Sequence, residues 1–421
     1  MANTDILTVN GQRLWRSLMD MAKIGATQKG GCNRQALTEL DKQGRDLFVS
    51  WCEDIGCDVQ VDEIGNIFAR RAGKNDQLPA VITGSHLDTQ PTGGKFDGVY
   101  GVLAGLEVLR TLHDNKITTQ HPIELVVWTN EEGARFSPAC MGSGVWSGHF
   151  DLQQTYDTQD GAGVSVGQAL SQIGYKGLLP AAPRPIKAAF EAHIEQGPIL
   201  EKEKQQIGVV TGIQGVHWYE LTLKGKPCHA GPTPMTDRFD PVQSLLPILS
   251  TCFELANVNA PWGRATIGDI QAHPGSPNTV PEEIKVRIDL RHPDEQVVTH
   301  MVQQFEAEVE RISKEFATPA LLTKVWEADV TVFDSECIAA VQQSVDKLGY
   351  SNMKMVSGAG HDSLYVSRRV PTSMIFVPCE DGLSHNEAEN ASQQDLAAGA
   401  DVLLNSMLTM AGTATDTTSD V

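Results

Sequence analysis

Apolar positions along the chain follow two rhythms. Leu14, Leu18, Met21 and Ile24 recur at helical spacing. Leu47, Phe48, Trp51 and Ile55 line one face of a second helix over 41–55, which Gly56 suits as a cap. Strand-like stretches at 59–62 and 66–69 then flank a turn at Gly65. The run Ala80-Val81-Ile82-Thr83 reads as a buried strand that ends in a polar, glycine-rich loop. A helix rich in Leu, Val and Ala over 99–112 follows, then a strong strand over 123–128. Strand, helix, strand in that order predicts a βαβ unit and a parallel sheet. Residues 136–185 read as loop, apart from a helix at Val166–Ile173, and 188–194 as a further strand.

From about Gly212 the texture changes. Strands are predicted at 216–223, 265–270, 284–290 and 321–326, with helices at 241–255 and 295–316. The order β-α-β-β-α-β is that of a ferredoxin-like unit. After Asp334 the earlier alternation resumes, with a helix at 337–348, a strand at 372–377, a loop at 380–386 and a helix at 394–407. The expected architecture is α/β: a mixed, mostly parallel sheet flanked by helices, with an α+β domain inserted. Residues 1–212 and 334–421 would form the large domain and 213–333 the insertion, with a disordered tail from about 412.

Composition narrows the partners. A net charge of −20 argues against a nucleic-acid-binding face. No apolar run approaches the roughly 20 residues of a membrane span. No secretory leader is recognisable, and eight scattered cysteines without a C-x-x-C pair suit a reducing cytoplasm.

Chemistry concentrates after predicted strands. His86 and Asp97 bracket a turn containing Pro91, Gly93 and Gly94, and imidazole with carboxylate suits zinc, manganese or cobalt. Asp88 is spaced to accept the second ring N–H of His86 and orient it. Glu131 and Glu132 follow a strand, where neighbours point apart, so one can bind metal while the other acts as a base. His193 ends a strand, and His385 follows one. Parallel strands keep such ends on one edge of the sheet, so His86, Asp97, Glu132, His193 and His385 could form one five-ligand site. In the inserted domain, Arg291 suits a substrate carboxylate, and His229 and Asn278 a carbonyl oxygen.

The run of phrases is more specific than any one of them. It comprises Gly84-Ser85-His86-Leu87-Asp88-Thr89, Gly93-Gly94-Lys95-Phe96-Asp97-Gly98, Asn130-Glu131-Glu132-Gly133-Ala134-Arg135-Phe136, Met141-Gly142-Ser143, His193-Ile194-Glu195-Gln196-Gly197-Pro198, His229-Ala230-Gly231-Pro232-Thr233-Pro234-Met235 and Gly360-His361-Asp362. Over roughly Leu14 to Met410 the chain resembles the hydantoinase/carbamoylase amidases, a branch of the dinuclear aminoacylase–carboxypeptidase metallohydrolases. The resemblance implies a zinc-exopeptidase-like catalytic domain and two divalent metal ions. His86 and His193 would hold one ion and Glu132 and His385 the other, with Asp97 bridging. Glu131 would be the general base, and Gln196, His229, Asn278, Arg291 and Gly360 would bind substrate. It implies hydrolysis of an N-carbamoyl-L-amino acid to amino acid, carbon dioxide and ammonia. The alternatives are an allantoate amidohydrolase, a β-ureidopropionase or, more remotely, a metal-free binding protein on the same scaffold. A homodimer built through the inserted domain is also implied, in which His229 could serve the partner's site. His217 and Cys228 depart from the family pattern.

Overall fold

The computed structural model describes residues 6–413. Its strands are β1 (Asp58–Val61), β2 (Ile67–Arg71), β3 (Ala80–His86), β4 (Ile123–Trp128), β5 (Ile186–Ile194), β6 (Ile207–Ile213), β7 (Gly215–Lys224), β8 (Arg264–His273), β9 (Glu283–His292), β10 (Ala320–Ala328), β11 (Thr331–Val332), β12 (Asn352–Ser357) and β13 (Thr372–Val377). The chain divides into two compact units. Gly212–Val332 form the small one, and the residues before and after it form the large one.

The large sheet runs in the order β1-β2-β4-β3-β5-β13-β6, with β12 also on β6 and β11 beyond it. Its centre, β4-β3-β5-β13, is parallel, while β2 and β6 run antiparallel at the flanks. Register aligns the carboxyl ends: His86 pairs with Trp128, and Ile194 with Val377. The central strands are buried on both faces, which explains their near-continuous apolar runs. The helix Val99–Asp114 is buried nearly all round, and its Leu, Val and Ala join one core with helices Gly11–Met21 and Gln393–Ala411. Each such Leu or Val contributes about 1.5–3 kcal/mol by leaving water.

In the small unit the sheet order is β10-β7-β9-β8, antiparallel throughout. Tyr219, Leu221 and Leu223 of β7 and Ile284, Val286, Ile288 and Leu290 of β9 meet Ile248 and Cys252 from helix Pro241–Val258. Met301, Phe305 and Ile312 from helix Glu295–Glu315 complete that core. The fold is thus mixed α/β with a ferredoxin-like α+β unit, as the sequence pattern leads one to expect.

Details differ. The stretch read as loop over 136–185 also contains helices Met141–Trp146 and Leu152–Asp157. Strands β6 and β12 were not visible in the pattern. At the end of the chain, the Gly412 carbonyl accepts from the Gln120 N–H at 2.8 Å, and Thr413 bridges to Thr119. These two residues are therefore ordered, contrary to the expected start of a disordered tail, and 414–421 lie outside the described residues. Among the described residues no helix is long and apolar enough to cross a membrane.

Candidate metal centre

Four parallel strand ends deliver the site. β3 ends in His86, β5 runs through His193, and the turns after β4 and β13 carry Glu131-Glu132 and His385. Asp97 stands between the imidazoles. Its Oδ1 lies 3.2 Å from His193 Nε2 and 3.6 Å from His86 Nε2, and its Oδ2 lies 3.4 Å from His385 Nε2. Glu132 Oε2 is 3.2 Å from the same His385 nitrogen. Two donor sets result, His86–Asp97–His193 and Asp97–Glu132–His385, each with its ligand atoms within 4.8 Å of one another. Asp97 belongs to both.

The tautomers follow from the partners. A carbonyl can only accept, so His86 Nδ1 carries the proton it gives to the Asp88 carbonyl at 2.9 Å. His193 Nδ1 likewise gives its proton to the Ile194 carbonyl at 2.9 Å. Both Nε2 atoms are then turned toward Asp97, and His193 Nε2 also meets the Gly98 N–H at 3.1 Å. Burial pulls both rings down, but Glu131 and Asp97 raise His86 well above its ordinary range and Asp97 raises His193. A divalent ion can take the place of the Nε2 proton, and imidazole nitrogen beside carboxylates is the donor chemistry of zinc, manganese or cobalt. The residues present fit a pair of divalent ions.

Contrary to expectation, the Asp88 side chain does not orient the His86 ring. Its carboxylate is 4.0 Å from His86 Nδ1, beyond hydrogen-bond reach, because its own main-chain carbonyl takes that proton. The carboxylate instead accepts the backbone N–H groups of Glu131 (3.3 Å, Oδ1) and Glu132 (3.2 Å, Oδ2). A two-residue spacing cannot tell a main-chain acceptor from a side-chain one.

Glu131 Oε2 sits 3.4 Å from His86 Nε2, and Oε1 accepts the Cys140 thiol at 3.2 Å. Burial raises the Glu131 carboxyl to about 7, against the pull of His86. For Asp97, burial acts upward, but His193, His385 and His86 outweigh it and hold the carboxylate well below its ordinary range. Asp97 and Glu132 raise His385 to about 11. Asn130, Gln196 and His385 all adopt positive φ (55°, 57° and 52°) without being glycine. Such left-handed backbone costs roughly 1–3 kcal/mol per residue and clusters at functional sites. Gly98 (φ 65°) is where only glycine fits, since a Cβ would lie 2.3 Å from the His86 ring.

The candidate substrate residues are spread over both units. Gln196 Nε2 donates to Asp97 Oδ2 at 2.8 Å and to Ser384 Oγ at 3.2 Å, while its buried Oε1 has no hydrogen-bond partner among the described residues. Gly360 faces open space where a side chain would be. His229, Asn278 and Arg291 belong to the small unit. There His229 bridges to Thr279, Ala230 N–H donates to the Asn278 carbonyl at 2.9 Å, and Arg291 is ion-paired with Asp289 at 2.6 Å. His217 is also in the small unit, 3.5 Å from Glu327.

Several residues around the ligands escaped the pattern. Gln90 holds Glu132 with both its backbone N–H (3.1 Å) and its Nε2 (2.7 Å). His361 is buried, its ring centroid 4.6 Å from that of His193 and its Nε2 2.9 Å from Ser357 Oγ. Burial, with His193 beside it, pushes its pKa well down. Glu191, His193 and His361 form a third group of possible ligand atoms. Glu191 is already engaged by the hydroxyls of Ser85 (2.8 Å) and Ser363 (2.6 Å). The phrase Gly360-His361-Asp362 was the one available signal; the serines carried none.

Comparison with known proteins agrees with this geometry. Residues 82–409 match peptidase family M20/M25/M40. An N-carbamoyl-L-amino-acid amidohydrolase of Rhizobium meliloti is 46% identical over 400 residues, 95% of this chain and 96% of that protein. An allantoate amidohydrolase of Bacillus subtilis is 33% identical over 393 residues, 93% and 95% of the two chains. The crystal structure of a hydantoinase/carbamoylase family amidase from Burkholderia multivorans superposes with a TM-score of 0.93 at 49% identity, covering 96% and 98%.

Proposed function

Since the chain belongs to peptidase family M20/M25/M40, in its hydantoinase/carbamoylase amidase branch, we propose that it hydrolyses N-carbamoyl-L-amino acids. The products are the free amino acid, carbon dioxide and ammonia. The observation that carries this reading is the pair of donor sets sharing Asp97, beside a glutamate that is no part of either. His86 and His193 would hold one divalent ion and Glu132 and His385 another, with Asp97 common to the two sets. When bound, such ions would supply Lewis-acid chemistry at the carbonyl and the attacking water.

The chain's own groups do the rest. Glu131 takes a proton from the attacking water and returns it to the leaving nitrogen, a role suited to a carboxyl raised to about 7. Asp88 positions Glu131 and Glu132 through their backbone N–H groups. Arg291 pairs with the substrate carboxylate, and His229 and Asn278 hold the carbonyl oxygen as charge builds on it. The unpartnered Gln196 Oε1 accepts a ureido N–H. At Gly360 the absence of a side chain lets substrate approach the backbone.

The enzyme works as a homodimer built through the small unit. There Leu246 and Phe253 of helix Pro241–Val258 are exposed at 63% and 47%, and β8 leaves an open sheet edge. Light scattering should return twice the chain mass; a monomer at micromolar concentration would refute this. Eight free cysteines, seven of them buried, suit a reducing cytoplasm.

The allantoate reading has the Bacillus subtilis relative in its favour. Assaying N-carbamoyl-L-methionine, N-carbamoyl-β-alanine and allantoate side by side, after metal reconstitution, separates the readings. The carbamoyl-α-amino acid should have the highest kcat/KM. Faster turnover of allantoate or the β-alanine derivative would overturn the assignment.

A further inference from the structure

One buried carboxylate near the metal-binding residues has no part in the proposed reaction. Glu389 is 1% exposed and follows His385 by four positions, in the turn before the last helix. Its two oxygens divide their work. Oε1 accepts the backbone N–H of Phe96 at 2.8 Å and of Asp97 at 3.1 Å. Oε2 accepts the Ser384 hydroxyl at 3.1 Å, and that hydroxyl lies 2.7 Å from Asp97 Oδ2. Ser384 immediately precedes His385. The space is closely fitted, since a Cβ on Gly94 would come within 2.0 Å of the Glu389 carboxyl carbon.

We infer that Glu389 is the positioning residue of the bridging aspartate: one carboxylate pins the Asp97 turn and the His385 turn to each other, and so sets the spacing between the two donor sets. Asp97 lies on the loop after β3, and His385 on the loop after β13. Strands β3 and β13 are not neighbours, because β5 runs between them. Strand pairing therefore does not join the two loops directly; the links between them are side-chain ones, Gln196 Nε2 to Asp97 Oδ2 and Ser384 Oγ, and Glu389 to the Asp97 backbone and Ser384. His385 needs such a tether most: its side chain is 53% exposed, and it stands in the left-handed region at φ 52°.

The arrangement also fixes what a substitute must do. Ser384 has one proton and two carboxylate neighbours. A glutamine at 389 keeps one oxygen for the two backbone N–H groups, and its amide can donate to Ser384 Oγ, freeing the serine proton for Asp97. Alanine leaves two buried N–H groups without an acceptor and the serine without a tether. Groups behind metal ligands commonly change metal affinity by about 10- to 100-fold.

The inference rests on the reading that Asp97 serves two ions, and the test keeps the two apart. Metal-free wild type, E389A, E389Q and S384A are titrated with zinc by calorimetry, and the thermal midpoint of each metal-free protein is recorded. Wild type should bind two ions; fewer would sink the dinuclear reading itself. With two bound, E389A should lose roughly 10- to 100-fold in affinity for at least one ion. E389Q should stay within a few-fold of wild type. S384A should show a smaller loss in the same ion with an unchanged thermal midpoint of the metal-free protein. Unaltered zinc affinity in E389A overturns the inference, as does an E389Q as weak as E389A. If E389A does not fold, S384A decides: affinity equal to wild type overturns it.

Discussion

Replacing Asp88 by asparagine discriminates between two ways of supporting a metal ligand. The carboxylate accepts two backbone N–H groups, those of Glu131 and Glu132, at 3.3 and 3.2 Å. An asparagine side chain keeps one oxygen, so one of the two buried N–H groups then faces an NH₂. A buried donor left without an acceptor costs about 1–3 kcal/mol. At about 1.4 kcal/mol per decade, that is roughly a 5- to 150-fold change in an equilibrium constant. The loss should fall on the ion held by Glu132 and His385, because the His86 ring proton goes to the Asp88 main chain, which the substitution leaves in place. Stepwise zinc titration of the metal-free protein measures it. The weakened ion should be the one that His385→Ala removes, so Asp88→Asn/His385→Ala should bind its remaining ion as tightly as His385→Ala alone. If that remaining ion is also weakened by tenfold or more, Asp88 acts through the His86 ring after all, and the backbone account is wrong.

Other expectations follow from single contacts. Glu131→Gln keeps the size and the Cys140 contact but removes the base, so kcat should fall about 10²- to 10⁴-fold while bound metal stays at the wild-type level; full turnover in this variant would exclude Glu131 as the base. Gly98→Ala forces a Cβ to within 2.3 Å of the His86 ring in a left-handed turn, so zinc bound through His86 should be lost by metal analysis even where the protein still folds. Arg45→Ala strands Asp41, since both are fully buried and paired at 2.8 Å; urea unfolding should report a loss of about 3–5 kcal/mol, and a change below 1 kcal/mol would mean the pair is dispensable.

What could be read from the sequence was whatever leaves a periodic or compositional trace. The run Ile123–Trp128 announces a doubly buried strand, and Val166–Ile173 announces a helix through its apolar face, closed by Ser165 and Gly174. The candidate ligands were legible because each lies at the carboxyl end of such a strand or in the loop after it. Strand β6 was not, since Gly208 and Gly212 interrupt its apolar run, and the antiparallel pairing with β13 that stabilises it is set by tertiary contact. The short helix Met141–Trp146 contains two glycines and reads as a turn; it forms because it packs beneath the Asn130 turn, whose carbonyl accepts from Met141 N–H at 3.2 Å. Gln90, Ser384 and Glu389 illustrate a third limit. Their chemistry lies in which polar atom meets which, across 42 residues for Gln90 and more than 280 for Ser384 and Glu389, and spacing along the chain carries no record of that.

The ligand order along the chain has a consequence for how the enzyme is made. His86, Asp97, Glu132 and His193 all precede the small unit, whereas His385 comes after it. Strand β13 must also return across the whole insertion to lie beside β5, pairing Thr372 with Ala189. A ribosome has therefore made the whole small unit before the second donor set can exist. Until then the parallel edge of β5 stands open, the kind of unpaired edge on which growing chains aggregate. A divalent ion met during synthesis could engage only the first donor set, so any ion at the second would bind after β13 has paired and could not guide that pairing.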